Sequence, residues 1–325
     1  MSVSFVIPLY NCLPLTQTML ASLQASLPVG LDHEIILVDD GSTDGTRDWL
    51  ATLGGRCRVL LNERNLGYAG ANNRGVAAAT KDVVALLNND LVLPPRWLEP
   101  MLAVHRRLGD RAGLVGNVQV DARTGQVDHA GIFINLKGKP EHDRREAQGW
   151  STVLHGYHAV DALTGACLLL SRATWHRLGA FDGGFRNGGE DVDLCFRAHR
   201  AGLVNAVADR SVVRHHVSSS PGRALRNEEN SRRLTLRWRT ELVDCAARHW
   251  CRHYFESSPL DPGTHGHDFE FQAWLHTLGL RRDPPPALLV AMRRVVDQAV
   301  DVELARWDKL LGPRSEEHTS ELQSH

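Results

Sequence analysis

The stretch Val83–Leu87 (VVALL) is apolar at every position and stops abruptly at Asn88, Asn89 and Asp90. A run this short, with no polar residue alternating, reads as a strand buried on both faces, as in a parallel sheet covered by helices. In open α/β sheets the ligand crevice lies outside the carboxyl ends of the strands. Asp90 therefore sits where a divalent cation or a nucleotide would be met. Turn chemistry alone also accounts for Asn and Asp at this place, so the rest of the chain has to decide.

The same pattern recurs on both sides of this stretch. Val3–Leu9 (VSFVIPL) is a β-branched and aromatic strand with Pro8 near its end, followed by Tyr10 and Asn11. Residues 16–25 read as a helix. Residues 34–38 (EIILV) form a second buried strand that runs into Asp39, Asp40, Gly41, Ser42, Thr43 and Asp44. Ser, Thr and Asp cap helices, which accounts for residues 42–44 ahead of a helix at 46–53. Capping leaves unexplained why two carboxylates crowd one strand end. Residues 58–61 are a third strand. The loop 62–73 (NERNLGYAGANN) then places Gly67 and Gly70 before a small-residue helix, an arrangement that lets backbone and helix N-terminus approach a phosphate. Pro94 and Pro95 open a helix whose apolar face carries Trp97, Leu98, Met101, Leu102 and Leu108. Residues 113–120 are a further strand. Strands alternating with helices at this spacing indicate βαβ units.

From residue 121 to 158 the alternation loosens into a hairpin and an ordered excursion, and residues 163–171 return to a buried strand. Residues 181–193 (FDGGFRNGGEDVD) are the second chemically dense stretch. Glycines lead into Glu190 and Asp191, which fall in the first turn of a helix over 192–201. The helix dipole there favours their ionised forms, which suits a general base and suits simple capping equally. A last strand, 203–213, ends in Arg214, His215, His216 and a Ser-rich stretch. One of the paired imidazoles could ligate a metal. Residues 223–252 form a basic helical segment with Arg226, Arg232, Arg233, Arg237 and Arg239, read as a solvated face, with an anionic lipid headgroup or acceptor diphosphate as the alternative. Cys245, His249, Cys251 and His253 match no standard zinc spacing. Residues 287–311 are an amphipathic helix whose stripe suits packing.

At 325 residues the chain can bury one large α/β core with an appendage. The boundaries read as 1–220 for the α/β domain and 221–313 for a helical C-terminal region. The tail 314–325 (RSEEHTSELQSH) resembles a translated sequencing adapter and is set apart as non-native. A formal charge of -1 gives no global reason to expect nucleic acid. Six cysteines without a CxxC pair read as reduced thiols of a cytosolic protein. No apolar run reaches transmembrane length and the N-terminus reads as a strand.

Taken in order, FVIPLYN, VDDGSTDGT, NLGYAGANNRG, LLNND and GGEDVDLCFRAHRAG resemble the family 2 glycosyltransferases. TGACLLLSR before the acidic motif and HHVSSS after it are similar to bacterial members that act as rhamnosyltransferases or as cell-wall and O-antigen sugar transferases. The resemblance covers roughly the first two-thirds of the chain, and the order of several motifs makes it specific. It implies a GT-A fold, a Rossmann-like nucleotide-diphospho-sugar transferase architecture, here with a C-terminal helical appendage. It implies a hexosyltransferase-type enzyme that moves a sugar from a nucleotide-sugar donor to a glycan or lipid-linked acceptor with inversion. Donor contacts would come from Pro8, Tyr10, Asn11, Asp39, Asp40, Asn73, Arg74, Asn88 and Asn89. Asp90 and His215 would hold Mg²⁺ or Mn²⁺. Asn88 stands where the family's acidic DXD motif begins, so only one carboxylate of that motif is present. Asp191 would be the general base, with Glu190 in support. The expected location is cytoplasmic, with peripheral contact at the inner face of the membrane left open.

Two other classes stay in view. A sugar nucleotidyltransferase would carry a basic, Gly-rich N-terminal loop, which residues 3–11 lack. A non-catalytic nucleotide-sugar-binding module would not need Asp90, Asp191 and His215 together.

Overall fold

The computed structural model describes residues 1–144, 155–216, 223–257 and 267–311. The boundary expected near residue 220, the Ser-rich stretch after His216 and the tail 314–325 lie outside the described residues.

The first apolar run forms β1 (Val3–Leu9), with α1 (Leu13–Ser26), β2 (His33–Asp39), α2 (Thr46–Ala51), β3 (Arg58–Leu61), α3 (Gly67–Ala78) and β4 (Val83–Leu87) following. β1 lies between β2 and β4 and β2 pairs β3, all parallel. After the short β5 (Leu91–Val92) and α4 (Leu98–Leu108) come β6 (Ala112–Asp121), β7 (Val127–His129), β8 (Ile132–Ile134), β9 (Pro140–His142), β10 (Tyr157–Ala159) and β11 (Cys167–Ser171). Then follow α5 (Arg172–Leu178), α6 (Glu190–Arg200) and β12 (Val204–His215). The large sheet runs β10-β12-β6-β11-β4-β1-β2-β3, with β5 on β12 and β7 on β6, while β8 pairs β9 separately.

The sheet is mixed, where the sequence pattern had suggested a parallel one. β11 sits antiparallel between β4 and β6. A parallel crossover needs a dozen or more residues, usually a helix, to recross the sheet. The described residues between β6 and β11 form short strands and loops and no such helix. An apolar run buried on both faces carries no sign of its direction, so CLLLS reads identically either way.

Alternate residues of β1 explain how both faces are covered. Phe5, Ile7 and Leu9 enter a core with Met19, Leu20 and Leu23 of α1 and with Trp97, Leu98 and Met101 at the start of α4. Fully burying a side chain of this size contributes about 1.5–3 kcal/mol. Trp97 satisfies its indole N–H on Ser26 Oγ at 3.0 Å, and its carbonyl accepts from Ser211 Oγ at 2.6 Å. On the other face Val6 and Val38 meet α3 at Gly75. A Cβ there would lie 2.3 Å from Val6 Cγ1 and 3.0 Å from Val38 Cγ2. The small residues of α3 thus set how closely it lies on the sheet.

The chain divides into two compact units. One comprises Met1–Phe133 with Glu141–Pro221, the other Ile134–Pro140 with Gly222–His325. The second unit contains α7 (Arg223–Arg252), which kinks at Trp238, with α8 (Tyr254–Ser257), α9 (His267–Thr277) and α10 (Pro286–Leu311). Two of the arginines expected on a solvated face pair within this unit: Arg239 with Asp297 and Asp301, and Arg232 with Asp308. The loop between β8 and β9 also belongs here. Lys139 Nζ lies 2.9 Å from Glu303 and 5.0 Å over the Trp307 ring, and Leu136 packs on the cluster of Ala247, Cys251 and Met292. No helix among the described residues is long and apolar enough to cross a membrane.

The tight approach at Gly75 is testable. Gly75→Ala gains about 1 kcal/mol of helix propensity but forces a methyl into two β-branched side chains, and overpacking costs about 1–3 kcal/mol. The variant should unfold at lower denaturant concentration than the parent. An unchanged or higher midpoint would mean that α3 moves off the sheet freely.

Candidate functional site

The carboxyl ends of β1, β2 and β4 lie along one rim of the sheet because the three strands are parallel and in register. β11 runs the other way, so its beginning reaches the same rim: Cys167 pairs Leu87, and the Asn88 N–H donates to the Ala166 carbonyl at 2.8 Å. β12 is parallel to β6 and extends to His215, which pairs Leu91 of β5. Segments far apart in the chain therefore converge: Pro8, Tyr10, Asn11, Asp39, Asp40, Asn88, Asn89, Asp90 and His215 stand at or next to strand ends on this rim, whereas Asn73 and Arg74 lie in α3 and Glu190 and Asp191 open α6.

Asp39 and Asp40 explain their crowding by their partners. Asp39 is fully buried, and its carboxylate accepts from Arg47 Nε at 2.7 Å and from the N–H groups of Gly41 and Ser42. Asp40 is also buried. Its Oδ1 accepts from Asn62 Nδ2 and the Leu66 N–H at 2.6 and 2.8 Å, and its Oδ2 from the Gly67 N–H at 2.9 Å. The two acids thus fasten the strand ends and the start of α3 to one another. Gly41, at φ 88°, lets the chain at Arg64 and Asn65 pass at a distance where a Cβ would stand 3.2 Å from the Asn65 nitrogen. Asn11, itself at φ 56°, accepts from the Thr43 N–H through Oδ1, and its N–H donates to Ser42 Oγ, both at 2.8 Å. Pro8 is half-buried and Tyr10 is exposed. Asn73 clasps Phe181 through both its amide atoms, and Arg74 donates to the Leu61 carbonyl and to Asn62 Oδ1.

Asn89 is spent on Thr16 Oγ1 at 2.9 Å. Its neighbours are not. His215 Nε2 lies 3.3 Å from Asp90 Oδ1, and the His216 N–H donates to the Asp90 carbonyl. Asp90 Oδ1, His215 Nδ1 and Asn88 Oδ1 are buried and have no hydrogen-bond partner among the described residues. Orphaned buried polar atoms are rare and call for a ligand or water. Oxygen donors with an imidazole suit Mg²⁺ or Mn²⁺. Among the described residues no three His, Cys, Asp or Glu side chains converge, so a cation would take its remaining ligands from elsewhere.

Glu190 and Asp191 open α6 behind Gly189, which is in the left-handed region at φ 91°. Glu190 is buried and its Oε2 accepts from the Gly188 N–H at 2.8 Å. Asp191 is half-buried. Its Oδ2 accepts from the Gly165 N–H and its Oδ1 from the Val192 N–H, each at 2.8 Å. Burial raises its pKa above the ordinary carboxylate range, and the hydrogen bonds from Gly165 and Val192 only partly oppose this. The sequence reading had the helix dipole alone deciding in favour of ionisation; desolvation is the larger influence.

Several residues of the rim were not singled out from the sequence. Tyr68 donates its hydroxyl to the Gly165 carbonyl at 2.6 Å, and its N–H goes to Asn187 Oδ1 at 2.9 Å. Asn187 is in the left-handed region at φ 55°, and an Asn before two glycines was the available signal. Arg47 and Asn62 carried no signal, because their partners are backbone and acid groups of distant loops. His129 is fully buried, neither of its ring nitrogens has a partner, and its ring meets that of exposed His142 at 4.9 Å between centroids. Burial and the neighbouring imidazoles push its pKa well below the usual histidine value, so it is neutral.

With this geometry in place, the comparisons with known proteins fall on the same segments. Residues 4–161 match the family Glycosyl transferase family 2. The uncharacterized protein y4gI of Sinorhizobium fredii is 31% identical over 270 residues, covering 80% of this chain and 29% of that protein. N-acetylglucosaminyl-diphospho-decaprenol L-rhamnosyltransferase of Mycobacterium tuberculosis is 27% identical over 241 residues, 66% of this chain and 76% of that enzyme. Among solved structures, the mannosyltransferase PcManGT of Pyrobaculum calidifontis, in complex with GDP-Man and Mn²⁺, superposes with a TM-score of 0.54 at 19% identity, over 94% of this chain and 87% of that one. The chain spans between 17% and 54% of the length of the first curated relatives it matches. The match to glycosyl transferase family 2 thus falls on residues 4–161, just under half of the chain and the part that carries the ordered motifs, and the shared architecture is the GT-A fold.

Proposed function

We propose that the protein transfers a sugar from a nucleotide-diphosphate donor to a hydroxyl of a glycan or lipid-linked acceptor, with inversion at the anomeric carbon. The observation that carries this reading is the half-buried Asp191, held by two backbone N–H groups and raised in pKa, on the same rim as Asp90 and His215, which meet at 3.3 Å, and the Asn88 amide oxygen, which has no hydrogen-bond partner among the described residues. The relatives named above support it: one is a rhamnosyltransferase, and the solved structure holds a nucleotide sugar with Mn²⁺.

Asp191 takes the proton of the acceptor hydroxyl as that oxygen attacks the anomeric carbon, and the bond from that carbon to the diphosphate oxygen breaks. A carboxylate with a raised pKa is a stronger base than an ordinary one and suits this task. Glu190 holds the Gly188 N–H and so steadies the loop in front of Asp191. Asp90 and His215 would hold Mg²⁺ or Mn²⁺, with the Asn88 amide oxygen beside them. A bound divalent cation supplies charge neutralisation for the departing diphosphate. Tyr10, exposed beyond β1, together with Pro8 and Asn11, lines the side on which the nucleotide would lie. Asp39, Asp40, Asn73 and Arg74 act on the donor mainly by holding the loops that meet it. A location on the cytoplasmic face of a membrane, reached peripherally, fits a lipid-linked acceptor. A lone binding module has less support, since a base with a raised pKa serves no purpose in simple recognition.

Asp191→Asn separates the base from a mere helix cap, because Asn caps almost as well as Asp. Transfer should fall by about two to four orders of magnitude, the usual scale for losing a general base, while donor binding persists. Near-parental turnover would remove Asp191 from the chemistry. Stability follows the linkage. The folded-state pKa lies above the unfolded value, so ionising Asp191 costs the fold stability at neutral pH and nothing once the carboxyl is protonated. Asn avoids that cost but forfeits one of the two N–H contacts, about 1 kcal/mol. Relative to the parent, the variant should therefore lose stability as pH falls from neutral through the raised pKa of Asp191 toward its unfolded value.

The cation is tested without turnover. Calorimetric titration of a nucleoside diphosphate with Mn²⁺ present should show binding to the parent and none to Asp90→Ala. His215→Ala should weaken binding less, since water can replace one imidazole. Equal affinity in parent and Asp90→Ala would refute the assignment.

A further inference from the structure

The base does not stand alone: its position is fixed from the start of α3. Gly165 gives its N–H to Asp191 Oδ2 at 2.8 Å and receives the Tyr68 hydroxyl on its carbonyl at 2.6 Å. The fit is close, since a Cβ at residue 165 would lie 2.8 Å from the Tyr68 hydroxyl oxygen and 3.0 Å from ring carbon Cε1. Tyr68 also holds the far side of the same site, because its N–H donates to Asn187 Oδ1 in the glycine loop that leads into Glu190 and Asp191. Its ring lies 5.8 Å from that of Phe181 at the start of that loop. One residue thus touches both segments that flank Asp191.

From this we infer that Tyr68 is a positioning residue for sugar transfer, acting through Gly165 to aim the Asp191 carboxylate at the acceptor hydroxyl. The inference rests on Asp191 being the base. Its physical content is a two-step relay. The hydroxyl pins the Gly165 carbonyl, which restricts rotation of the backbone at residue 165. With that rotation restricted, the Gly165 N–H stays directed at Asp191 Oδ2. An N–H directed at a carboxylate stabilises its charge, so losing that aim makes the carboxylate harder to ionise and leaves it freer to turn. The phenol itself takes no proton. Loss of solvent and the adjacent Glu190 and Asp191 push its pKa well above the usual value, so it stays a hydrogen-bond donor through the working range. The same residues tie the base to the donor side. Leu66 and Gly67, immediately before Tyr68, give their N–H groups to Asp40. A displacement of the β2 end is therefore carried into the segment that sets the base.

Tyr68→Phe removes one oxygen and keeps the ring. We expect a roughly tenfold lower kcat, because an aiming defect costs less than losing the base, which is worth about two to four orders of magnitude. The donor KM and the calorimetric donor affinity should stay unchanged. The acid limb of the pH–rate profile should move to higher pH, a change that a purely structural residue would not produce. In an Asp191→Asn background Tyr68→Phe should cause no further loss. A raised donor KM, an unmoved acid limb, or a full additional loss in that background would overturn the inference. The base assignment fails separately: Asp191→Asn with near-parental turnover overturns it and the inference together, whereas an inactive Asp191→Asn beside an unmoved Tyr68→Phe profile overturns the inference alone. Should Tyr68→Phe fold poorly, 3-fluorotyrosine at residue 68 keeps the ring and makes the hydroxyl a stronger donor. The acid limb should then hold its place or move to lower pH, and movement to higher pH would refute the relay.

Discussion

The antiparallel seating of β11 against β4 is the constraint on which the rest of the site depends. Were β11 parallel, its beginning would lie at the opposite edge of the sheet, a strand length from Asn88. Because it is antiparallel, the Ala166 carbonyl meets the Asn88 N–H, and residue 165 stands on the rim where β1, β2 and β4 end. Asp191 then needs only the Gly165 N–H to be drawn to that rim. The acid that would take a proton and the acid that would meet a cation are thus placed by the register of one strand pair. Backbone pairing of this kind is rigid, which suits chemistry that tolerates little misplacement.

The polar residues around this pairing divide into those whose side chains fasten neighbouring loops and those that keep a buried atom without a hydrogen-bond partner among the described residues. Asp39, Asp40, Asn11, Asn62, Asn73 and Asn89 spend their side chains on neighbouring loops. Loops at the ends of strands have few backbone partners of their own, and buried polar groups must be satisfied. Side-chain amides and carboxylates do this work here, and the surplus donors and acceptors of the rim collect at Asn88, Asp90 and His215. A buried polar network is strong when complete and expensive when broken. Its open end is accordingly where a bound group would gain most.

Much of this was legible in the sequence, for identifiable reasons. β1, β2 and β4 announce themselves as apolar runs, and the polar residues that end them fall on the rim because parallel strands share a direction. The positions of Asp90 and His215 follow from the ends of such runs, and that of Asp191 from the glycines that lead into the first turn of a helix. The direction of β11 was not legible, since an apolar run buried on both sides looks the same in either sense. Nor was the true work of Asp39 and Asp40, whose partners Arg47, Asn62 and Gly67 come from other loops. Tyr68 and Asn187 are 119 positions apart, and nothing in either segment points to the other. The fate of the basic segment in α7 was hidden in the same way, because the aspartates that neutralise Arg232 and Arg239 lie on α10.

The hairpin between β8 and β9 has a topological consequence. Its strands leave the sheet-bearing unit, while its loop, Ile134–Pro140, counts with the helices through Leu136, Lys139 and Gly138, where a Cβ would press on Val300. The polypeptide therefore passes from one unit to the other three times, and no single cut separates them. A fragment ending before α7 would keep the loop but lose the partners of Leu136, Gly138 and Lys139, leaving an apolar leucine and an unneutralised lysine on a seven-residue segment. The helical unit completes itself only with a segment that lies, in sequence, inside the span of the sheet-bearing unit. Shuffling the helices between relatives as a detachable cassette would have to carry that loop along.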